Sequence, residues 1–109
     1  MKKLLVALMC AFTLTAFAAD SCTLARDSAG RIKRSAAAVV AFKKANPCPA
    51  NGHTSGICPG YIVDHVKPLC ACGEDKPSNM QWQTLADSKA KDRLEDKQCA
   101  ALKASGAVK

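Results

Sequence analysis

Gly60 to Asp92 reads GYIVDHVKPLCACGEDKPSNMQWQTLADSKAKD, and this stretch decides the fold. Tyr61-Ile62-Val63 is an apolar, β-prone run that ends on the pair Asp64-His65. Pro68 through Pro77 is punctuated by proline and glycine and reads as a loop. Ser78-Asn79-Met80-Gln81-Trp82 leads into a second strand, and a charged segment with helical spacing follows. Strand, loop, strand, helix is a compact unit that places an imidazole at the end of its first strand, beside a carboxylate.

Outward from this unit the chain is short, and its 109 residues predict one small domain. Met1-Lys2-Lys3, the apolar run Leu4 to Phe17 and the small-x-small Ala16-Phe17-Ala18 form the pattern of a secretory signal peptide, residues 1–18. It is too short and wrongly flanked for a lasting membrane span. Removing those 18 residues leaves 91, residues 19–109, as a single domain with its core motif at 60–98. A core that small is marginal without covalent help. Of the 7 cysteines, Cys10 leaves with the signal. Cys22, Cys48, Cys58, Cys70, Cys72 and Cys99 remain, an even set that implies disulfides and an oxidising compartment, the periplasm or the medium. Loss of Lys2 and Lys3 leaves 14 basic against 9 acidic residues, a net +5. That excess suits an anionic partner such as nucleic acid, and suits solubility equally well.

Ala19 to Gly30 is polar and aperiodic, an arm ordered at most locally and tied down through Cys22. Arg31 to Asn46 fits a helix, with Ile32, Ala36, Val39 and Val40 on one face and Arg31, Lys33, Arg34 and Lys44 mostly off it as solvated charges. Asn46-Pro47 stops it. Pro47 to Gly60 is loop by composition, with His53 exposed at its tip. Leu85 to Gln98 predicts a second helix, whose Ala86, Ala90 and Leu94 would pack on the first while Ser88, Asp92 and Glu95 face the other way. The tail Ala100 to Lys109 is expected to fray.

With Asp64-His65 followed by Asn79 fourteen residues beyond the histidine, the stretch resembles the HNH endonucleases, the ββα-metal or His-Me finger nucleases. The match covers Tyr61 to Asp92. It also resembles small exported bacterial HNH proteins, through the lead-in from Cys58-Pro59-Gly60-Tyr61 to Pro68-Leu69 and through Ser78 to Thr84, SNMQWQT. The resemblance implies an α+β fold, a small disulfide-stapled domain with an N-terminal helix and a ββα-metal finger. It implies His65 as the general base that activates water, and Asn79 as the residue whose amide holds the loop and the ring. It implies Asp64 as a metal ligand, which requires a local twist at the strand end because neighbouring strand residues point to opposite faces. The third signature residue, His or Asn in many relatives, falls on Ser88, a poor ligand for a divalent cation. Asp92, one turn further on the same face, is the candidate that completes the set, with Asp87, Gln83 and Glu95 as substitutes. Oxygen ligands of this kind favour Mg²⁺ or Mn²⁺. Lys67, Lys89, Lys91 and Arg93 would line the phosphate path. Trp82 reads as core rather than as a platform for a base.

Taken from the residues alone, each member has a blander account. His65 fits a satisfied core histidine, Asn79 a loop cap, and Asp92 a solvated partner of Lys89 or Lys91. Their joint placement in one strand-loop-strand-helix unit is what favours chemistry. Cys70, Cys72, Cys99 and His65 can be drawn as a Cys₃His zinc site, but CxC spacing is tight for zinc and the compartment oxidises thiols, so structural zinc is disfavoured. Six cysteines allow 15 pairings. Proximity selects Cys48–Cys58; Cys70–Cys99 and Cys22–Cys72 are the arrangement favoured for the rest.

The sequence therefore predicts an exported, metal-dependent endonuclease acting on nucleic acid, DNA before RNA, with little sequence specificity and no membrane attachment after signal cleavage. The alternatives are a catalytically silent HNH-fold protein that binds nucleic acid or another polyanion, and a disulfide-rich envelope protein with no such role. An inhibitor or immunity partner is left open.

Overall fold

The structure, a computed structural model, describes residues 21–109. The expected signal peptide, 1–18, lies outside the described residues. Helix α1 (Ala36–Ala45) is followed by strand β1 (Tyr61–His65), two single 3₁₀ turns (Leu69–Ala71 and Pro77–Asn79), strand β2 (Met80–Thr84) and helix α2 (Leu85–Ala104). The described residues thus form a small α+β domain of two helices, one two-stranded antiparallel sheet and three disulfides. Among them no helix is long and apolar enough to cross a membrane.

The helix expected from Arg31 begins instead at Ala36. Ser35 caps it, its hydroxyl accepting from the Ala38 amide at 3.1 Å. The preceding residues are used otherwise. Ile32 bridges to Arg26, and the Asp27 carboxylate accepts from the amides of Ala29 and Arg31 at 2.9 and 3.0 Å, so 26–32 is a turn and not a first helical turn. The expected face also shifts: Val40 is 65% exposed, whereas Phe42 is 3% exposed and anchors α1 against Trp82, ring centroids 5.6 Å apart and edge to face. Trp82 is half-buried and donates its indole N–H to the Asn46 carbonyl at 2.9 Å, which ties β2 to the end of α1.

β1 and β2 pair from Tyr61 with Thr84 to His65 with Met80. A further bond, Val66 N–H to Asn79 carbonyl at 2.8 Å, carries the ladder one step past His65. α2 starts without a linker, capped by Thr84, whose hydroxyl accepts from the Asp87 amide at 3.2 Å. It packs on β1, β2 and the Leu69–Ala71 turn. The face that packs reverses the expectation. Leu94 is 70% exposed and Ala86 and Ala90 are exposed, while Ser88, Lys91, Glu95, Cys99 and Leu102 turn inward. The alanine stripe offers little area to bury. The inward face is held by an ion-pair network and a disulfide.

The six cysteines form Cys22–Cys72, Cys48–Cys58 and Cys70–Cys99, the three pairs favoured from sequence. The tail does not fray. α2 runs on to Ala104, Val108 is 6% exposed, and Cys22 pairs with Val108 in a parallel bridge. Amide bonds from Cys22 to Ala107 at 3.0 Å and from Leu24 to Lys109 at 2.7 Å fix the N-terminal arm along the same edge. The buried apolar set is small: Phe42, Leu69, Ala71, Met80 and Val108, with Cys48 and Cys58.

Candidate active site

The pleat of β1 sends Asp64 and His65 to different neighbours. Asp64 faces α2, where its carboxylate accepts from the Lys91 ammonium at 2.7 Å and, more weakly, from the Gln81 amide at 3.4 Å. His65 faces the loop, with its Nε2 2.9 Å from Asp75 Oδ1. A carboxylate can only accept, so Nε2 carries the hydrogen and Nδ1 of the neutral ring carries the lone pair. The other Asp75 oxygen accepts from the Ser35 amide, so one carboxylate joins the imidazole to the first turn of α1. The His65 side chain is 11% exposed.

Between them the loop is clipped shut by Asn79. Its Oδ1 accepts from the Lys67 amide at 2.9 Å, and its Nδ2 donates to the carbonyls of Lys67 and Glu74 at 2.9 and 2.8 Å. Cys72 takes the left-handed backbone, φ 69°, and Gly73 then passes so close that a Cβ there would lie 2.0 Å from the Lys67 carbonyl oxygen. This crossing sets the path from His65 to Asp75.

The end of β1, the Pro68–Cys70 segment and one side of α2 enclose a cleft of about 260 Å³, lined by Asp64, His65, Ser88, Asp92, Glu95 and Asp96 among others, with Arg34 and Ile32 reaching in from before α1. Ser88 is buried at 6% exposure. Asp92 is exposed at the rim. Of the residues expected along a phosphate path, Lys67, Lys89 and Arg93 are exposed and none lines the cleft. Lys91 turns inward: its ammonium bonds Asp64, Glu95 and the His65 carbonyl, the last at 2.6 Å. Burial pulls its pKa down, but the hydrogen bonds and charges of Asp64 and Glu95 outweigh this and hold it above the ordinary lysine value of 10.5. Sequence reasoning missed Asp75 and Arg34. Asp75 lies in an aperiodic loop, and Arg34 sat in a helix that does not begin until two residues later.

Apart from the His65 imidazole, the donors lining the cleft that could meet a metal ion are oxygens, the chemistry that suits Mg²⁺ or Mn²⁺. Four carboxylates line the cleft against Arg34, and Lys91 adds a second cation, which leaves an excess of two negative charges where a phosphate would have to enter. By donor type the carboxylates suit a hard divalent cation. Among the described residues, however, no three His, Cys, Asp or Glu side chains converge closely enough to hold one, and Lys91 lies between Asp64 and Glu95. The cysteines drawn above as zinc ligands are all in disulfides.

Comparison of the chain with protein-family models, with curated proteins and with solved structures gives no match.

Proposed function

We propose that this protein is an exported endonuclease of the ββα-metal type that hydrolyses nucleic-acid phosphodiester bonds with little sequence specificity, with His65 as its general base. The observation that carries the reading is the His65–Asp75 pair at 2.9 Å on the border of a cleft that also gathers Asp64, Ser88, Asp92 and Arg34. With Nε2–H held by Asp75, Nδ1 is the nitrogen that takes a proton from water. The water oxygen bonds to phosphorus, the bond to the 3′ oxygen breaks, that oxygen takes a proton from solvent water to leave as a hydroxyl, and the imidazolium returns its proton to solvent. The products are 5′-phosphate and 3′-hydroxyl ends. Asp64 and Asp92 would be the residues to hold a divalent cation, which when bound would neutralise charge on the phosphate and on the departing oxygen. Asn79 fixes the loop on which the ring depends. Periplasmic or extracellular residence fits the three disulfides.

A second reading, a polyanion-binding protein with a silent site, is favoured by one observation: Lys91 already neutralises Asp64 and Glu95. Nicking of supercoiled plasmid separates the two. Oxidised protein is incubated at low salt with Mg²⁺, Mn²⁺ or EDTA beside a His65→Ala control. The nuclease cuts with metal, stops with EDTA, and loses at least about a hundredfold in rate in the variant. Folded wild-type protein that binds plasmid without cutting it would establish the second reading.

A further inference from the structure

We infer that Arg34, with Arg31 and Lys33 beside it, forms the groove through which a nucleic-acid backbone enters the cleft; this deepens the nuclease reading and rests on it. Ile32 and Arg34 line the cleft of His65, and the same two residues line an adjoining concavity of about 690 Å³ whose other walls are Asp27, Arg31 and Lys33. The two hollows share a wall, and Arg34 is its charged residue.

The segment is held on both sides of Arg34. The Lys33 amide donates to the Ala25 carbonyl at 2.9 Å, and the Ser35 amide donates to Asp75, the carboxylate that also holds His65. The backbone beside Arg34 and the imidazole are therefore held by the two oxygens of one carboxylate. Its guanidinium is in no ion pair with another described residue, although four carboxylates line the cleft it borders, and the same is true of Lys33. Among the described residues Arg31 pairs only with Asp27, on side chains 80% and 32% exposed, a contact weak enough to exchange for a phosphate. A guanidinium presents a planar fork that matches two phosphate oxygens. Among the described residues Arg34 is also the only lysine or arginine lining the cleft, and a phosphodiester approaching Asp64, Asp92, Glu95 and Asp96 would otherwise meet carboxylates. The ligand class is a phosphodiester chain, met through its backbone and so without base preference.

The test measures anisotropy of a fluorescein-labelled DNA duplex with oxidised His65→Ala protein over a range of salt. The same titration is run with Arg34→Gln added, with Arg31→Gln, Lys33→Gln and Arg34→Gln added together, and with Lys89→Gln and Arg93→Gln added instead. Circular dichroism confirms that each variant is folded. Each backbone contact removed lowers the slope of log K against log salt by about 0.9, so the triple variant loses about 2 to 3 in slope and binds at least tenfold more weakly at low salt. The Lys89 and Arg93 pair keeps the slope. An unchanged slope in the triple variant, a loss that appears in the Lys89 and Arg93 pair instead, or no salt-sensitive binding at all would overturn the groove. The nuclease reading is scored separately. If the slopes behave as stated and wild-type protein cuts no plasmid, the nuclease reading falls and the groove stands. If wild type and triple variant cut alike with equal slopes, the groove falls and the nuclease reading stands.

Discussion

Asp75 divides its two oxygens between the His65 ring and the Ser35 amide, and the two contacts respond differently to substitution. An asparagine there keeps one accepting oxygen. If it serves Ser35, the amide nitrogen faces Nε2, the ring must accept there, and the hydrogen moves to Nδ1, the nitrogen that the proposed reaction needs bare. Asp75→Asn should lower kcat for plasmid nicking by roughly a hundredfold or more while leaving KM in place, the pattern of a wrong tautomer. An unchanged kcat would remove Asp75 from the mechanism. Lys91 invites a different experiment. Its pKa is raised in the folded protein, so its contribution to stability is complete below the ordinary value of 10.5 and is lost as pH climbs through the folded value. Lys91→Met should lower the urea midpoint at neutral pH, because Asp64 and Glu95 lose the ammonium that links them. It should also flatten the alkaline fall seen in wild type. Parallel alkaline profiles for the two proteins would show that the network contributes nothing.

At the scale of elements, the crossing of Gly73 over Lys67 is the most demanding point of the loop. Gly73→Ala should cost about 1–3 kcal/mol in urea unfolding, since a methyl group meets backbone that cannot swing aside as a side chain could. A variant as stable as wild type would mean that the loop reroutes with ease. The hairpin and the start of α2 were legible in the sequence because the β-prone run Tyr61-Ile62-Val63, the Pro and Gly loop and the helical spacing that follows all reflect local preferences. Both helices were misjudged where the deciding interaction is distant. Ile32 fitted the helical stripe, yet the Asp27 turn and the bridge to Arg26 claim it. On α2, periodicity located an apolar stripe at Ala86, Ala90 and Leu94 but could not say that the opposite face carries Lys91 to Asp64 and Cys99 to Cys70. Asp75 was invisible for a similar reason. Its partners lie ten residues before it and forty residues before it, and a loop has no period to betray them.

Across the whole molecule, a short roll of buried apolar side chains leaves much of the stability to the bridges. They close loops with sequence separations of 10, 29 and 50, worth about 3, 4 and 4 kcal/mol by chain entropy. The widest, Cys22–Cys72, anchors the arm three residues before Asp75 in the loop. Replacing both of its cysteines by alanine should lower the free energy of urea unfolding by a few kcal/mol and reduce nicking per folded molecule. A double variant with wild-type stability and rate would count against the bridge in both roles. The contact between Asp75 and Ser35 has one more consequence, for modularity. A fragment from Gly60 to Ala104 would carry His65, Asp64, Ser88 and Asp92 and could still close Cys70–Cys99, so on paper it is a complete cassette. It would nonetheless leave behind Ser35, Arg34 and Cys22, and with them the outside hold on the residue that aims the imidazole. The smallest unit that keeps this hold on the ring is therefore not the hairpin and its helix but the chain from the arm onward.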